Sequence, residues 1–124
     1  MSDVEPMDRL DTLRERLRLF VAEREWEQFH DPKNLAMAIA SETGELVAEM
    51  RWVASEDADD FVRDERNRQR IENEIGDVAI ALLLFCERAK IDVLSAVEQK
   101  LELNAANYPV ERSKGRSRRP PSQA

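Results

Sequence analysis

Four carboxylates recur at a spacing that could do chemistry. Glu42 and Glu45 stand three residues apart, and so do Glu74 and Asp77. In a helix, positions i and i+3 share a face, so each pair presents its carboxylates side by side. The stripe of Glu74 and Asp77 continues through Ala81 and Leu84, towards the core side of its helix. Glu42, Glu45 and Glu49 share a stripe with Ala38 and Trp52, flanked by Leu35, Ile39 and Leu46. An unpartnered carboxylate on a core-facing stripe is costly and tends to take up a proton, so a positive charge is expected beside it. Two such helices packed face to face would gather four carboxylates into one oxygen-rich pocket. Hard divalent cations such as magnesium bind sites of that kind, often together with phosphates. The same spacing also describes a solvated acidic face, and periodicity alone does not separate the two.

A glycine precedes the second carboxylate of each pair, Gly44 before Glu45 and Gly76 before Asp77. Glycine inside a helix costs roughly 1 kcal/mol relative to alanine. Its placement here predicts that another backbone or a ligand comes close.

These side chains need long helices to carry them. The chain has 124 residues, 42% of them hydrophobic, which suffices for one domain with one core. Ala, Leu, Glu and Arg dominate, and these are strong helix formers. The first helix is expected from about Met7 to Glu27, after a short lead-in, with Leu10, Leu13, Leu17, Phe20 and Val21 at helical spacing. A loop through Phe29, His30 and Asp31 follows, ended by Pro32. The second helix is expected from about Asn34 to Ala54. An acidic turn at Ser55 to Asp60 follows, and Asp60 or a neighbour is expected to cap a helix or short helical turn leading into a third helix, roughly Arg66 to Lys90. Asp92 caps a fourth, Val93 to Asn107, which Pro109 stops. The fold class is all-α: a bundle of four main helices over residues 1–109. Residues 110–124 are rich in Arg, Ser and Pro and read as a mobile basic tail.

The single cysteine, Cys86, excludes an internal disulfide and fits core packing in a reducing compartment. No apolar run reaches the roughly 18 residues of a membrane span, and no apolar signal region opens the chain. A soluble, cytoplasmic protein with no membrane partner is expected. The net charge of −7 is uneven: residues 110–124 hold five basic residues against Glu111, which leaves −11 on the rest. So acidic a body is a poor partner for nucleic acid polymers, whose phosphates supply most of that affinity. A small phosphate ligand remains compatible if metal ions bridge it to the acids. A bundle this short also leaves apolar surface exposed, which predicts self-association.

Longer runs carry a resemblance. Residues 23–35, Glu-Arg-Glu-Trp-Glu-Gln-Phe-His-Asp-Pro-Lys-Asn-Leu, are followed by Ser-Glu-Thr-Gly-Glu-Leu-Val-Ala-Glu at 41–49. Further on come Glu-Asn-Glu-Ile-Gly-Asp-Val (72–78), Ile-Asp-Val (91–93) and Lys-Leu-Glu-Leu-Asn-Ala-Ala-Asn-Tyr-Pro (100–109). Together they resemble the MazG-like nucleoside triphosphate pyrophosphohydrolases, most of all the dCTP pyrophosphatase branch, over about residues 10 to 119. The resemblance implies cleavage of a nucleoside triphosphate to the monophosphate and pyrophosphate. It implies Mg2+ held by Glu42, Glu45, Glu74 and Asp77, and a base pocket using Trp26 and Trp52. His30 falls in the matching loop, near the site. Lys100, Asn104 and Tyr108 resemble residues that contact phosphate and sugar. The resemblance further implies a homodimer or homotetramer with sites at subunit interfaces. Two positions depart from the pattern: Leu17 stands where those relatives carry His, and Ala81 where they carry Tyr. Both concern the nucleoside, so the base and sugar are left open while the metal ligands are intact.

The implied chemistry is water attack at phosphorus, with the metal neutralising the triphosphate and acidifying the water. Glu45 or Glu49 would take the proton as general base. A dCTP-like or modified pyrimidine substrate fits best; dUTP, phosphoribosyl-ATP, or a non-catalytic helical interaction module are the alternatives. Each residue also has a plainer role. Glu49 could pair with Arg51, the tryptophans could be core aromatics, and Lys100 and Asn104 could form a solvated face. Tyr108 could merely cap the bundle. A di-iron bundle would need two Glu-x-x-His motifs plus two further glutamates, and the chain has one histidine. Within the tail, Lys114 and Arg116 are the residues that would reach a bound nucleotide.

Overall fold

A computed structural model describes residues 8–121. The expected lead-in over residues 1–7 and the last three tail residues lie outside that range. Every regular element among the described residues is helical. In chain order they are α1 (Arg9–Glu23), α2 (Pro32–Met50), α3 (Ala58–Arg63), α4 (Glu65–Ala89), α5 (Val93–Asn107) and α6 (Val110–Ser113). Short 3-10 turns at Glu27–Phe29 and Ser55–Asp57 join them. No helix among the described residues is long and apolar enough to cross a membrane.

The ends are set by local chemistry. The Asp31 side chain accepts from the Asn34 backbone N–H at 2.9 Å, with Pro32 at the first turn. The missing proline N–H is one the helix start leaves unpaired anyway, so α2 begins at Pro32 and not two residues later. Asp64 caps α4 through the N–H groups of Arg66 and Asn67, and Asp92 caps α5 through Ser95. The acidic turn before α4 is itself helical, so α3 stands as an element of its own. α1 stops four residues short of the expected end, because Glu25 adopts a left-handed conformation with φ 55°.

The chain divides into two compact units, one through Lys90 and one from Ile91 onward. In the first unit α4 is the central element. α2 packs along it most extensively, and α3 and α1 also rest on it. Two ties reinforce this: Arg14 donates to Glu87 at 3.2 Å, and Arg88 donates to the Glu27 carbonyl at 3.1 Å. The core is small, consisting of Val21, Leu35, Ile71, Ala81 and the thiol of Cys86. Many large apolar side chains stay exposed, among them Met37, Val47, Trp52 and Ile75. The second unit holds α5, α6 and the stretch after them.

Candidate metal and phosphate site

The α2–α4 pair that dominates the first unit carries both acid pairs. One carboxylate oxygen from each of Glu42, Glu74 and Asp77 lies within 4.8 Å of the other two. Glu42 and Glu74 are half-buried and Asp77 is exposed. Glu45 is exposed and lies outside that triad, although its charge is still felt by Glu74. The Glu74 carboxyl titrates above the ordinary carboxylate range. Burial is the first cause, followed by the negative charges of Glu45, Asp77, Glu42 and Glu49. The repulsion is therefore collective, and a cation at the triad would relieve it. Three carboxylate oxygens gathered this closely also form the donor set a hard cation prefers, so the residues fit a divalent metal.

A cleft of about 210 Å³ opens beside the acids. Glu42 and Asp77 form its charged end. Leu35 and Ala38 of α2 face Ile80, Ala81 and Leu84 of α4 across its apolar walls, and Phe29, His30 and Asn34 complete the rim. The rim is braced locally, since the Asn34 amide donates to the Phe29 carbonyl at 3.2 Å. One end can thus take charge through a metal, while the other offers an apolar surface with a single imidazole.

His30 meets the acids at this cleft, as the loop preceding α2 requires. The two tryptophans do not line it. Trp26 packs edge-on against Phe20, with ring centroids 5.7 Å apart. Trp52 is 86% exposed beyond the end of α2, with the Arg51 guanidinium over its ring. Neither is therefore an ordinary core aromatic. Glu49 pairs not with its neighbour Arg51 but with Arg70, whose Nε donates to it at 3.1 Å. Lys100 and Asn104 lie on α5, and Tyr108 forms its C-terminal cap, all in the second unit.

One sequence expectation changes. The glycines beside the acids are not packed against another segment: beyond its chain neighbours and its own helix backbone, a Cβ at Gly44 or Gly76 would meet no atom within 4 Å. The close approach they predict is not made within the described residues. Arg70, Phe29 and Asn34 are site neighbours that sequence reasoning does not single out. Only Asn34 has a local signal, three residues after the capping Asp31, whereas Arg70 and Glu49 are 21 residues apart.

The described helices and the acidic cleft define an all-α protein that carries a carboxylate cluster suited to a divalent metal. A solved structure of a pyrophosphatase from Archaeoglobus fulgidus superposes with a TM-score of 0.78 at 37% identity, over 87% of this chain and 99% of that one. Among curated proteins, the Bos taurus dCTP pyrophosphatase 1 is 38% identical over 96 residues, 77% of this chain and 57% of that protein. The Homo sapiens dCTP pyrophosphatase 1 is 33% identical over 114 residues, 92% of this chain and 67% of that protein. The chain thus spans roughly three-fifths to two-thirds of these relatives. No family profile matches the chain. The chain belongs to the MazG-like nucleoside triphosphate pyrophosphohydrolase family, alongside the dCTP pyrophosphatases.

Proposed function

We propose that this protein hydrolyses a deoxynucleoside triphosphate to the monophosphate and pyrophosphate, with dCTP or a modified pyrimidine dNTP as substrate. The observation that carries the reading is the Glu42–Glu74–Asp77 triad at the charged end of a cleft whose walls are apolar. Glu42, Glu74 and Asp77, joined by Glu45, would hold the metal, and we take that metal to be Mg2+. Bound there, it would supply neutralisation of the phosphate chain and a more acidic water.

The protein's own groups do the rest. The carboxylate cluster is strongly anionic and repels a bare triphosphate, so substrate binding is coupled to metal binding. Glu49 is engaged by Arg70, which leaves Glu45 better placed to accept the proton of the attacking water. Leu35, Ala38 and Leu84 exclude water from one flank of the cleft, and His30 offers a polar atom at its rim. We assign Trp26 and Trp52 to stacking on the base, and Lys100, Asn104 and Tyr108 to phosphate and sugar. The high exposure of Trp52 supports this, since its ring keeps surface for a ligand beside the Arg51 guanidinium. Exposed Met37, Val47 and Ile75 on the same two helices support assembly as a homodimer or homotetramer.

The test is pyrophosphate release from a panel of canonical and modified dNTPs with magnesium, run beside Asp77→Asn. Release from one or a few substrates, abolished by the substitution and by chelator, is the expected result. Absence of release across the panel from folded protein overturns the reading.

A further inference from the structure

The second unit carries a cleft of its own, of about 570 Å³, built entirely from residues 111–121. Arg112, Arg116, Arg118 and Arg119 all line it, against the single acid Glu111. The chain has to fold back to achieve this. After α6, the Lys114 N–H bonds the Val110 carbonyl at 3.0 Å and the Arg116 N–H bonds that of Ser113 at 2.9 Å. Gly115 turns the chain with φ 77°, a conformation that side-chain-bearing residues rarely adopt. The guanidinium of Arg112 then donates to the Pro121 carbonyl and closes the loop.

Four guanidinium groups gathered around one concavity repel one another. Among the described residues no carboxylate forms an ion pair with Arg116, Arg118 or Arg119. Glu111 is the one acid in the lining, so most of this positive charge lacks a counter-charge. Arginine forks match phosphate oxygens in pairs, and several forks together match a chain of phosphates better than one. A nucleic acid polymer would meet the remaining −11 charge of the chain as well as these arginines. A short, highly charged anion meets the arginines alone.

We propose that this cleft is a binding site for a di- or triphosphate chain, distinct from the acidic cleft and independent of metal. Its ligand is either free pyrophosphate or the phosphate chain of a nucleotide. That choice of ligands draws on the proposed hydrolysis, but the site itself does not require it.

The test uses the full chain in EDTA at low salt, where the acidic cleft repels phosphates. Calorimetric titration with inorganic pyrophosphate, a non-hydrolysable dCTP analogue and a single-stranded oligonucleotide reads the site directly. The expected result is binding of pyrophosphate or the analogue, the tighter of the two naming the source. That binding should weaken at least tenfold in Arg116→Ala/Arg118→Ala and stay unchanged in Asp77→Asn. Gly115→Val keeps every charge but strains the turn, and should also weaken binding several-fold. The proposal is overturned if neither small ligand binds, or if the arginine substitutions leave binding unchanged. It is also overturned if Gly115→Val has no effect, which would mean an unstructured basic segment, or if the oligonucleotide binds far more tightly than either. Loss of pyrophosphate release in the activity assay would refute the proposed reaction while leaving these titrations interpretable.

Discussion

Arg70 holds Glu49 across the α2–α4 interface, its Nε 3.1 Å from the carboxylate. The contact joins the end of α2 to the first turns of α4, the two helices that carry the acids. Its Coulombic worth is modest, because half of the arginine side chain is exposed. Glu49 is also the least of the charges that raise Glu74, and the Arg70 guanidinium lies against it. Arg70→Ala should cost about 0.5 kcal/mol in metal-free protein, and Glu49→Gln in that background should recover most of it. Urea denaturation of the four proteins in the cycle measures the coupling. Additive single effects would mean the pair is incidental.

Glu74 predicts an unusual pH dependence. Its folded carboxyl titrates above the ordinary range, so between those two values the native state binds more protons than the unfolded chain. Stability contributed by this group then falls as pH rises through that window and stays low above it. In chelator, Glu74→Gln should therefore be more stable than the parent at neutral pH. The advantage should shrink as pH drops through the window. Thermal melts of both proteins across the acidic range decide this; an advantage that grows towards low pH contradicts it.

Metal binding should report on the triad without any turnover. Magnesium should raise the melting temperature of the parent, because a ligand that binds only the folded state stabilises it by mass action. Glu42→Gln and Asp77→Asn should lose most of that rise and at least a hundredfold in pyrophosphate release. An undiminished rise in both variants would move the metal elsewhere.

Lys90 ends α4 in the left-handed conformation, φ 59° and ψ 43°. A side chain there costs about 1 kcal/mol, which glycine does not incur. Lys90→Gly should therefore stabilise the protein by several tenths of a kcal/mol. The denaturation midpoint should rise with an unchanged slope.

Gly44 and Gly76 offer a sharper contrast. A methyl group added at either position would meet no atom within 4 Å, so alanine there should gain up to about 1 kcal/mol of helix stability. Denaturation at micromolar concentration checks it. A loss in place of a gain would mean that a second molecule packs where this chain leaves open space.

Much of this is legible in the sequence. Asp92 announces the start of α5 because a capping oxygen reaches an N–H only three residues away. Sequence reasoning does not single out the caps Asp31 and Asp64, the latter one of several acids before α4. The α5 boundaries follow from Asp92 and the proline at 109 alone. The end of α1 is not legible, because nothing in its composition marks Glu25 for a left-handed turn. The acid pairs are visible because i, i+3 spacing is a local property.

The all-helical class, the acid-bearing stripes and the family can all be read from residue order. Each rests on relations within a turn or two of helix, or on matched residue types. Tertiary structure decided what those stripes meet. It drew Glu42 into a triad with Glu74 and Asp77 while Glu45 stayed outside, gave Glu49 to Arg70, and set apolar walls beside the acids. These outcomes depend on how α2 is rotated and shifted along α4. That choice is made by side-chain packing between segments distant in sequence, which no local periodicity encodes.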